Sequence, residues 1–385
     1  MSQTQSTRQE ECSAQQGTLY LALELGWSKW LLAFTTKAGQ KPRLRTIQSR
    51  DLKSLEEEIR SAQQRLRLSE SSRVVSCYEA GRDGFWLHRH LESAGVESRV
   101  VDSSSIKVNR RARRAKTDRL DVIALVSLLV RYDSGEKGVW SVVRVPSAKE
   151  EDGRQLGREL ELLKGERTGH WNRIRGLLAT QGVELGSGCK GRFREWLEEV
   201  RLWDGSRLPA SLRARLEREL ERLECVEEQI QTLEQRRREQ VAEAKSGEEK
   251  QVVQLLLLRG IGMNSSWLFV MEFFAWRQFR NRRQVGALSG LAPTPYSSGD
   301  GLHHEQGIAK SGNERVRAMA IEIAWCWLRW QPRSELSKWF QERFGKGNSR
   351  SRRVGIVALA RKLLVALWRY LETGVIPEGA QLKAK

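Results

Sequence analysis

Cysteine is scarce, and the five present stand far apart at Cys12, Cys77, Cys189, Cys225 and Cys326. None forms a CxxC pair, which argues against a zinc ribbon and against a disulfide framework, and suits a reducing cytosol. The five histidines include no HExxH, so the metalloprotease helix is missing as well. No stretch approaches the roughly 20 apolar residues of a membrane span. The first residues, MSQTQSTRQEECSAQQG, are polar and lack the apolar segment of a secretory signal. The expectation is a cytoplasmic protein with no membrane partner.

Acid is the other shortage. Asp and Glu number 48 against 67 Lys and Arg, a formal charge of +19 in 385 residues. A surplus of that size points to a polyanionic partner, nucleic acid above all. The apolar fraction of 39% is enough to bury a core, and the length allows two or three domains.

The chain changes character along its length. Residues 1–17 read as a disordered tail. From 18 to 146, apolar runs (TLYLALEL, KWLLAFTT, RLRTIQ, RVVSCYEA, ESRVVD) alternate with helical patterns (DLKSLEEEIRSAQQRLRL, GFWLHRHLESAG, RLDVIALVSLLVRY). Strands alternating with helices predict an α/β domain with a partly parallel sheet. From 147 to 250 the β signal fades. Leu212, Leu216, Leu220, Leu223, Val226, Ile230 and Leu233 recur at spacings of three and four, a coiled-coil seam with charged flanks. An earlier helix with Leu160, Leu163, Trp171, Ile174 and Leu178 would pair with it as a long antiparallel hairpin. From 251 to 375 apolar helices return, around a Gly-Ile-Gly turn at 260–262 and one long loop rich in Gly, Ser and Pro. Trp325, Trp327, Trp330 and Trp368 are expected in this core. Residues 376–385 read as a tail.

Four acids stand at telling places in the first domain. Glu24 closes the first strand and Glu79 closes RVVSCYE. Asp118 and Asp121 are three apart at a helix start, so they share a face. Strand ends of an α/β sheet border the crevice where ligands bind. Four acids converging there would repel one another without a cation, and hard oxygen ligands suit Mg²⁺, two ions of which can clamp a phosphodiester. Just before, KVNRRARRAKTDR places seven basic residues in thirteen. Lys107, Arg110, Arg111, Arg113, Arg114 and Lys116 are therefore candidate phosphate contacts. A solvated basic face is the alternative. Lys310, with the amides near Ser311 and Gly312 at the start of a helix, is a second candidate phosphate site.

These pieces together resemble the bridge-RNA-guided insertion-sequence transposases. The first-strand acid, YEA followed by Gly81, and KTDRLD resemble their RuvC-like (RNase H-like) DEDD domain. LLLLRGIGMNSSWLFVMEF, FRNRRQVGALSGLAPTPYSSG and GIAKSGNERVRAMAIEIAW resemble, in the family's order, its C-terminal transposase domain. Where the family has Asp on the first strand, Glu24 stands here, one methylene longer.

The resemblance implies an α/β RuvC-like domain, a helical coiled-coil insertion and a mostly helical transposase domain. It implies an RNA-guided transposase and recombinase with a guide RNA, donor and target DNA, and a homo-oligomer, dimer or tetramer, as partners. Location would be the bacterial cytoplasm, at the nucleoid. By the same resemblance the serine of the SG pair, Ser298, with Ser297 as its neighbour, attacks the DNA phosphodiester. Glu24, Glu79, Asp118 and Asp121 would hold Mg²⁺ beside it. The residues alone also admit a RuvC-like nuclease that uses metal-activated water, and a non-catalytic nucleic-acid-binding relative. RGIG resembles a helix-hairpin-helix turn, whose amides can meet a DNA backbone; a plain corner between helices is the other reading.

Overall fold

The alternation in TLYLALEL places Leu19, Leu21 and Leu23 on one side of the first strand and Tyr20 and Ala22 on the other. Both sets are buried, so this strand lies inside a sheet covered on two faces. In the computed structural model, which describes residues 17–106, 117–297 and 303–383, it is β1 (Thr18–Leu25). β2 (Lys29–Thr35) and β3 (Arg43–Gln48) follow antiparallel. After α1 (Leu52–Arg65) the chain returns as β4 (Arg73–Glu79), parallel to β1. After α2 (Trp86–Ser93) it adds β5 (Glu97–Val101), parallel to β4. The order is β3-β2-β1-β4-β5, a mixed five-stranded sheet. Leu55 and Ile59 of α1 and Leu87 and Leu91 of α2 pack against Leu19, Leu21 and Leu23. The opposite face is covered by α3 (Asp118–Asp133), through Val122, Leu125, Val126 and Leu129. The predicted alternation and the partly parallel sheet are both present.

Contacts divide the chain into two units, residues 1–146 and 147–385. The second unit begins with α4 (Ala148–Asp152), α5 (Gln155–Ala179), α6 (Phe193–Glu199) and α7 (Ala210–Glu243). Trp171, Ile174 and Leu178 of α5 meet Leu216, Leu220 and Leu223 of α7, while Leu160 and Leu163 meet Val226 and Ile230. Early residues of one helix face late residues of the other, so α5 and α7 form an antiparallel hairpin. The apolar stripe of α7 is covered within the chain, and a contact between copies would have to use another face.

The remaining helices are α8 (Gly247–Leu256), α9 (Met263–Phe269), α10 (Arg282–Leu288), α11 (Glu314–Trp330), α12 (Glu335–Phe344) and α13 (Ser349–Thr373). Their shared core contains Phe269, Phe273, Trp327, Phe340 and Leu363. The regions 147–250 and 251–375 lie in one unit. One tie between them is a bidentate ion pair, Arg158 Nε and Nη2 to Glu272 Oε1 and Oε2 at 2.6 and 3.0 Å. Residues 381–383 are bonded back to the chain: Arg259 N donates to Gln381 O at 3.1 Å, and Lys383 N to Leu257 O at 2.7 Å.

Two expectations are corrected. The long loop of the last region contains a β-hairpin, β6 (Pro293–Ser297) with β7 (His303–Ile308). Of the four tryptophans expected in the core, Trp327 is buried, while Trp325 and Trp330 are 43% and 46% exposed. A helix turns about 100° per residue, which sets Trp325 about 200° from Trp327 and on the opposite face, while Trp330 is the last residue of α11.

Candidate active site

The parallel pairing of β1 with β4 runs as far as Leu23 beside Tyr78. One residue further in the same register sets Glu24 beside Glu79, at the C-terminal ends of neighbouring strands. Alternation puts Glu24 on the side of Tyr20 and Ala22, and Glu79 on the side of Val75 and Cys77. That is the face α3 covers.

The direction of α3 follows from its contacts. At the N-terminal ends of the strands, Tyr20 Oη donates to Asp133 Oδ2 at 2.9 Å, and Arg73 Nη1 reaches the same oxygen at 2.6 Å. Midway, the Cys77 thiol lies 3.9 Å from Leu125 O. Burial first, and then the Glu79 carboxylate, push that thiol up from its ordinary range. The N-terminus of α3, with Asp118 and Asp121 in its first turn, therefore comes to the sheet end that carries Glu24 and Glu79. Thr117 caps this helix, its side chain accepting from Leu120 N at 3.3 Å.

Glu24 and Glu79 line a hollow of about 250 Å³ together with Tyr78, Gly81, Arg82 and Asp83. Both acids are half-buried, as is Asp121, whereas Asp118 is exposed. Asp118 and Asp121 do not line the hollow. Among the described residues no three acids, histidines or cysteines come close enough to hold a metal ion.

The surroundings contain residues that the sequence reading passed over. Asp83 forms an ion pair with Arg50 at 3.5 Å and accepts from Arg82 at 3.3 Å. The same two guanidinium groups flank Trp27, which is 68% exposed at the β1–β2 turn, at 5.5 and 4.8 Å from its ring. Their signal was the GRDG that follows YEA.

In the second unit, the base of the β6–β7 hairpin is held by two crossing segments. Ala309 N donates to Ala292 O at 2.9 Å, Lys310 N to Gly290 O at 3.3 Å, and Asn313 N to Leu288 O at 3.0 Å. Gly290 has φ +69° and Gly312 φ +102°. A Cβ at Gly290 would stand 2.4 Å from Ser311 O, and one at Gly312 2.3 Å from Leu288 O. Only glycine fits either position. Asn313 then caps α11, accepting from Val316 N at 3.1 Å. Lys310 is exposed, with φ +57°, and its carbonyl accepts from Arg317 Nη1 at 2.8 Å. The amides on either side of Ser311 and Gly312, those of Lys310 and Asn313, are thus occupied. Ser298 lies outside the described residues, as do Lys107, Arg110, Arg111, Arg113, Arg114 and Lys116. Ser297 ends β6.

Comparison with known proteins places this arrangement. Residues 254–338 match the family described as transposase IS116/IS110/IS902. A protein of Sinorhizobium fredii named as a transposase, y4rJ, is 42% identical over 378 residues, covering 95% of both chains. One from Pseudomonas aeruginosa named as a family 20 transposase is 31% identical over 77% of this chain and 83% of its own. The transposase for insertion sequence element IS1111A of Coxiella burnetii is 26% identical over 74% of each. The chain belongs to the IS116/IS110/IS902 family of transposases. Its substrate class is accordingly DNA, and its role the cleavage and transfer of DNA strands. Among the described residues no helix is long and apolar enough to cross a membrane.

Proposed function

We propose that the protein is an RNA-guided recombinase of the transposase class. It would cut and rejoin DNA through Ser298, with Mg²⁺ held by Glu24, Glu79, Asp118 and Asp121 of a RuvC-like domain. The observation that carries this reading is the placing of Glu24 and Glu79 side by side on one face, at the C-terminal ends of adjacent parallel strands. The sheet order and the covering of that face by α3 support it.

Carboxylate oxygens suit a hard divalent cation: Glu24 and Glu79 line the hollow, and Asp118 and Asp121, which do not line it, would complete the set from the start of α3. When bound, such an ion would offset negative charge developing on a phosphate. The chain's own residues do the rest. The Ser298 hydroxyl, once its proton is lost, forms an Oγ–P bond while one P–O bond to the sugar breaks and the departing oxygen takes a proton. Rejoining reverses these steps with an incoming sugar hydroxyl and frees the serine. Gly290 and Gly312 fix the base of the hairpin whose first strand ends at Ser297, directly before Ser298. The basic run 107–116 would hold phosphates or guide RNA beside the acids, and assembly of several copies would supply serine and acids from different protomers.

The test is a denaturing gel with labelled donor DNA, Mg²⁺ and RNA from the flanking element. Wild type should leave DNA covalently attached to protein. Ser298→Ala should bind DNA and RNA normally and give neither adduct nor cut. Cutting by Ser298→Ala at the wild-type rate, with Ser297→Ala equally active, would replace this reading with a metal-and-water nuclease.

A further inference from the structure

Between α5, α7, α9 and α11 of the second unit lies a pocket of about 320 Å³. This volume is at the lower end of the roughly 300–1,000 Å³ typical of small-molecule sites. Its charges are unequally satisfied. Arg158 is committed to Glu272, Arg315 to Glu161 at 2.8 Å, and Lys164 to Glu234 at 2.6 Å. Arg237 is not so served. It is 6% exposed, its Nη2 donates to the neutral Asn264 Oδ1 at 2.7 Å, and its Nε has no acceptor among the described residues. Arg154, 7% exposed, donates Nε only to the backbone carbonyl of Glu150, with its plane over Trp276. Glu234 acts on Arg237 and Glu272 on Arg154, but no hydrogen bond joins either pair among the described residues, and a buried guanidinium whose donors are unmet is costly. Desolvation accordingly holds both arginines below their ordinary range.

The rest of the wall is of another kind. Trp267 and Leu268 of α9 and Met319 of α11 line the same space. Trp267 Nε1 is buried without an acceptor among the described residues. Three carboxylates share the wall: Glu272 and Glu161, which are committed to Arg158 and Arg315, and Glu322. One end thus holds a buried guanidinium with a donor unmet, and the other offers flat and adaptable apolar surface. Phosphate alone would leave the apolar wall unused, and an apolar ligand would leave Arg237 Nε without an acceptor.

We propose that this pocket takes a single unpaired nucleotide from the bound nucleic acid, its phosphate on Arg237 and Arg154 and its base against Trp267, Leu268 and Met319. The volume admits one nucleotide and no base pair. Recognition of an extruded base by apolar contact is tolerant of sequence, so the site senses an unstacked position. It uses neither Ser298 nor the acids, and a Ser298→Ala protein keeps it.

Calorimetric titration of the full chain with AMP, dAMP, UMP and inorganic phosphate tests this. Mononucleotides should bind at least roughly tenfold more tightly than phosphate, since stacking adds to the anion contact. Arg237→Gln should weaken binding by about tenfold or more, as expected for losing a charged hydrogen bond. Because Arg237 is buried, a second variant guards against misfolding: Ala318→Phe, at an exposed position of the rim, should block binding with an unchanged melting temperature. Equal affinity for AMP and dAMP assigns the site to either nucleic acid, and tenfold loss with dAMP assigns it to RNA. The proposal is overturned if phosphate binds as well as nucleotides. It also fails if folded Ala318→Phe binds like wild type, or if no mononucleotide binds at millimolar concentration.

Discussion

Gly312→Ala probes how the hairpin base is held, and its cost can be worked from the geometry. Alanine at φ +102° lies beyond the left-handed well, where L-residues already lose roughly 1–2 kcal/mol. Its Cβ would stand 2.3 Å from Leu288 O and 2.8 Å from Leu288 C, both backbone atoms that no rotamer change can move. Relief requires separating the two segments, which breaks the 3.0 Å bond from Asn313 N to Leu288 O, worth about 0.5–1.5 kcal/mol. The sum is about 1.5–3.5 kcal/mol, a large part of the roughly 5–15 kcal/mol that holds a domain folded. Gly374→Ala is the internal control. That residue has φ +74° with nothing within 4 Å of an added Cβ, so only the conformational term, about 1 kcal/mol, applies. Urea denaturation followed by circular dichroism reads both. Gly312→Ala should also lower DNA cleavage more than DNA binding, because the base of the hairpin whose first strand ends one residue before Ser298 loses its hold. If Gly312→Ala costs no more than Gly374→Ala, the close approach does not hold the base and the reasoning fails.

Two further outcomes are expected. Asp121→Asn should abolish strand cleavage while leaving the melting temperature and RNA binding near wild type, since the side chain is half-buried at a helix start; full recombination by the folded variant would remove Asp121 from the site. Hydrogen bonds from Arg73, the larger cause, and from Tyr20 outweigh burial and hold the Asp133 carboxyl below its ordinary range. That stability is present above the unfolded value, near pH ~3.9, and is lost as pH falls through the lower folded one. Asp133→Asn should therefore lower the melting temperature at neutral pH and flatten its decline in acid; parallel curves for the two proteins would refute the linkage.

The first unit was legible because its periods are clean. Leu19, Leu21 and Leu23 alternate with Tyr20 and Ala22, and Leu55, Ile59 and Ala62 keep a helical spacing. The stripe of α7 likewise announced a partner, and α5 carries the matching stripe. The β6–β7 hairpin was hidden because Pro293 and Pro295 sit in a strand flanked by Gly and Ser, so nothing alternates. Burial of Arg237 was hidden for the opposite reason. In EQRRREQ it looks like its neighbours, and only the three-dimensional position of Asn264 separates it from a solvated charge. Trp27 with Arg50 and Arg82 shows the same limit, since one partner comes from 23 residues away in sequence and the other from 55.

The 34 residues of α7 form one uninterrupted helix. At about 1.5 Å per residue it is roughly 50 Å long. A rod of that length is a lever. A tilt of about 10° at one end carries the other roughly 9 Å, more than two base-pair steps of duplex. Because α5 is zipped along it from Leu160 to Leu178, the pair resists bending and passes rotation on as displacement. Arg237, near one end, is bonded to Asn264 of α9. Val241, one turn further on, packs into the core of the last helices, so a displacement of the distant end would reach that core through both contacts.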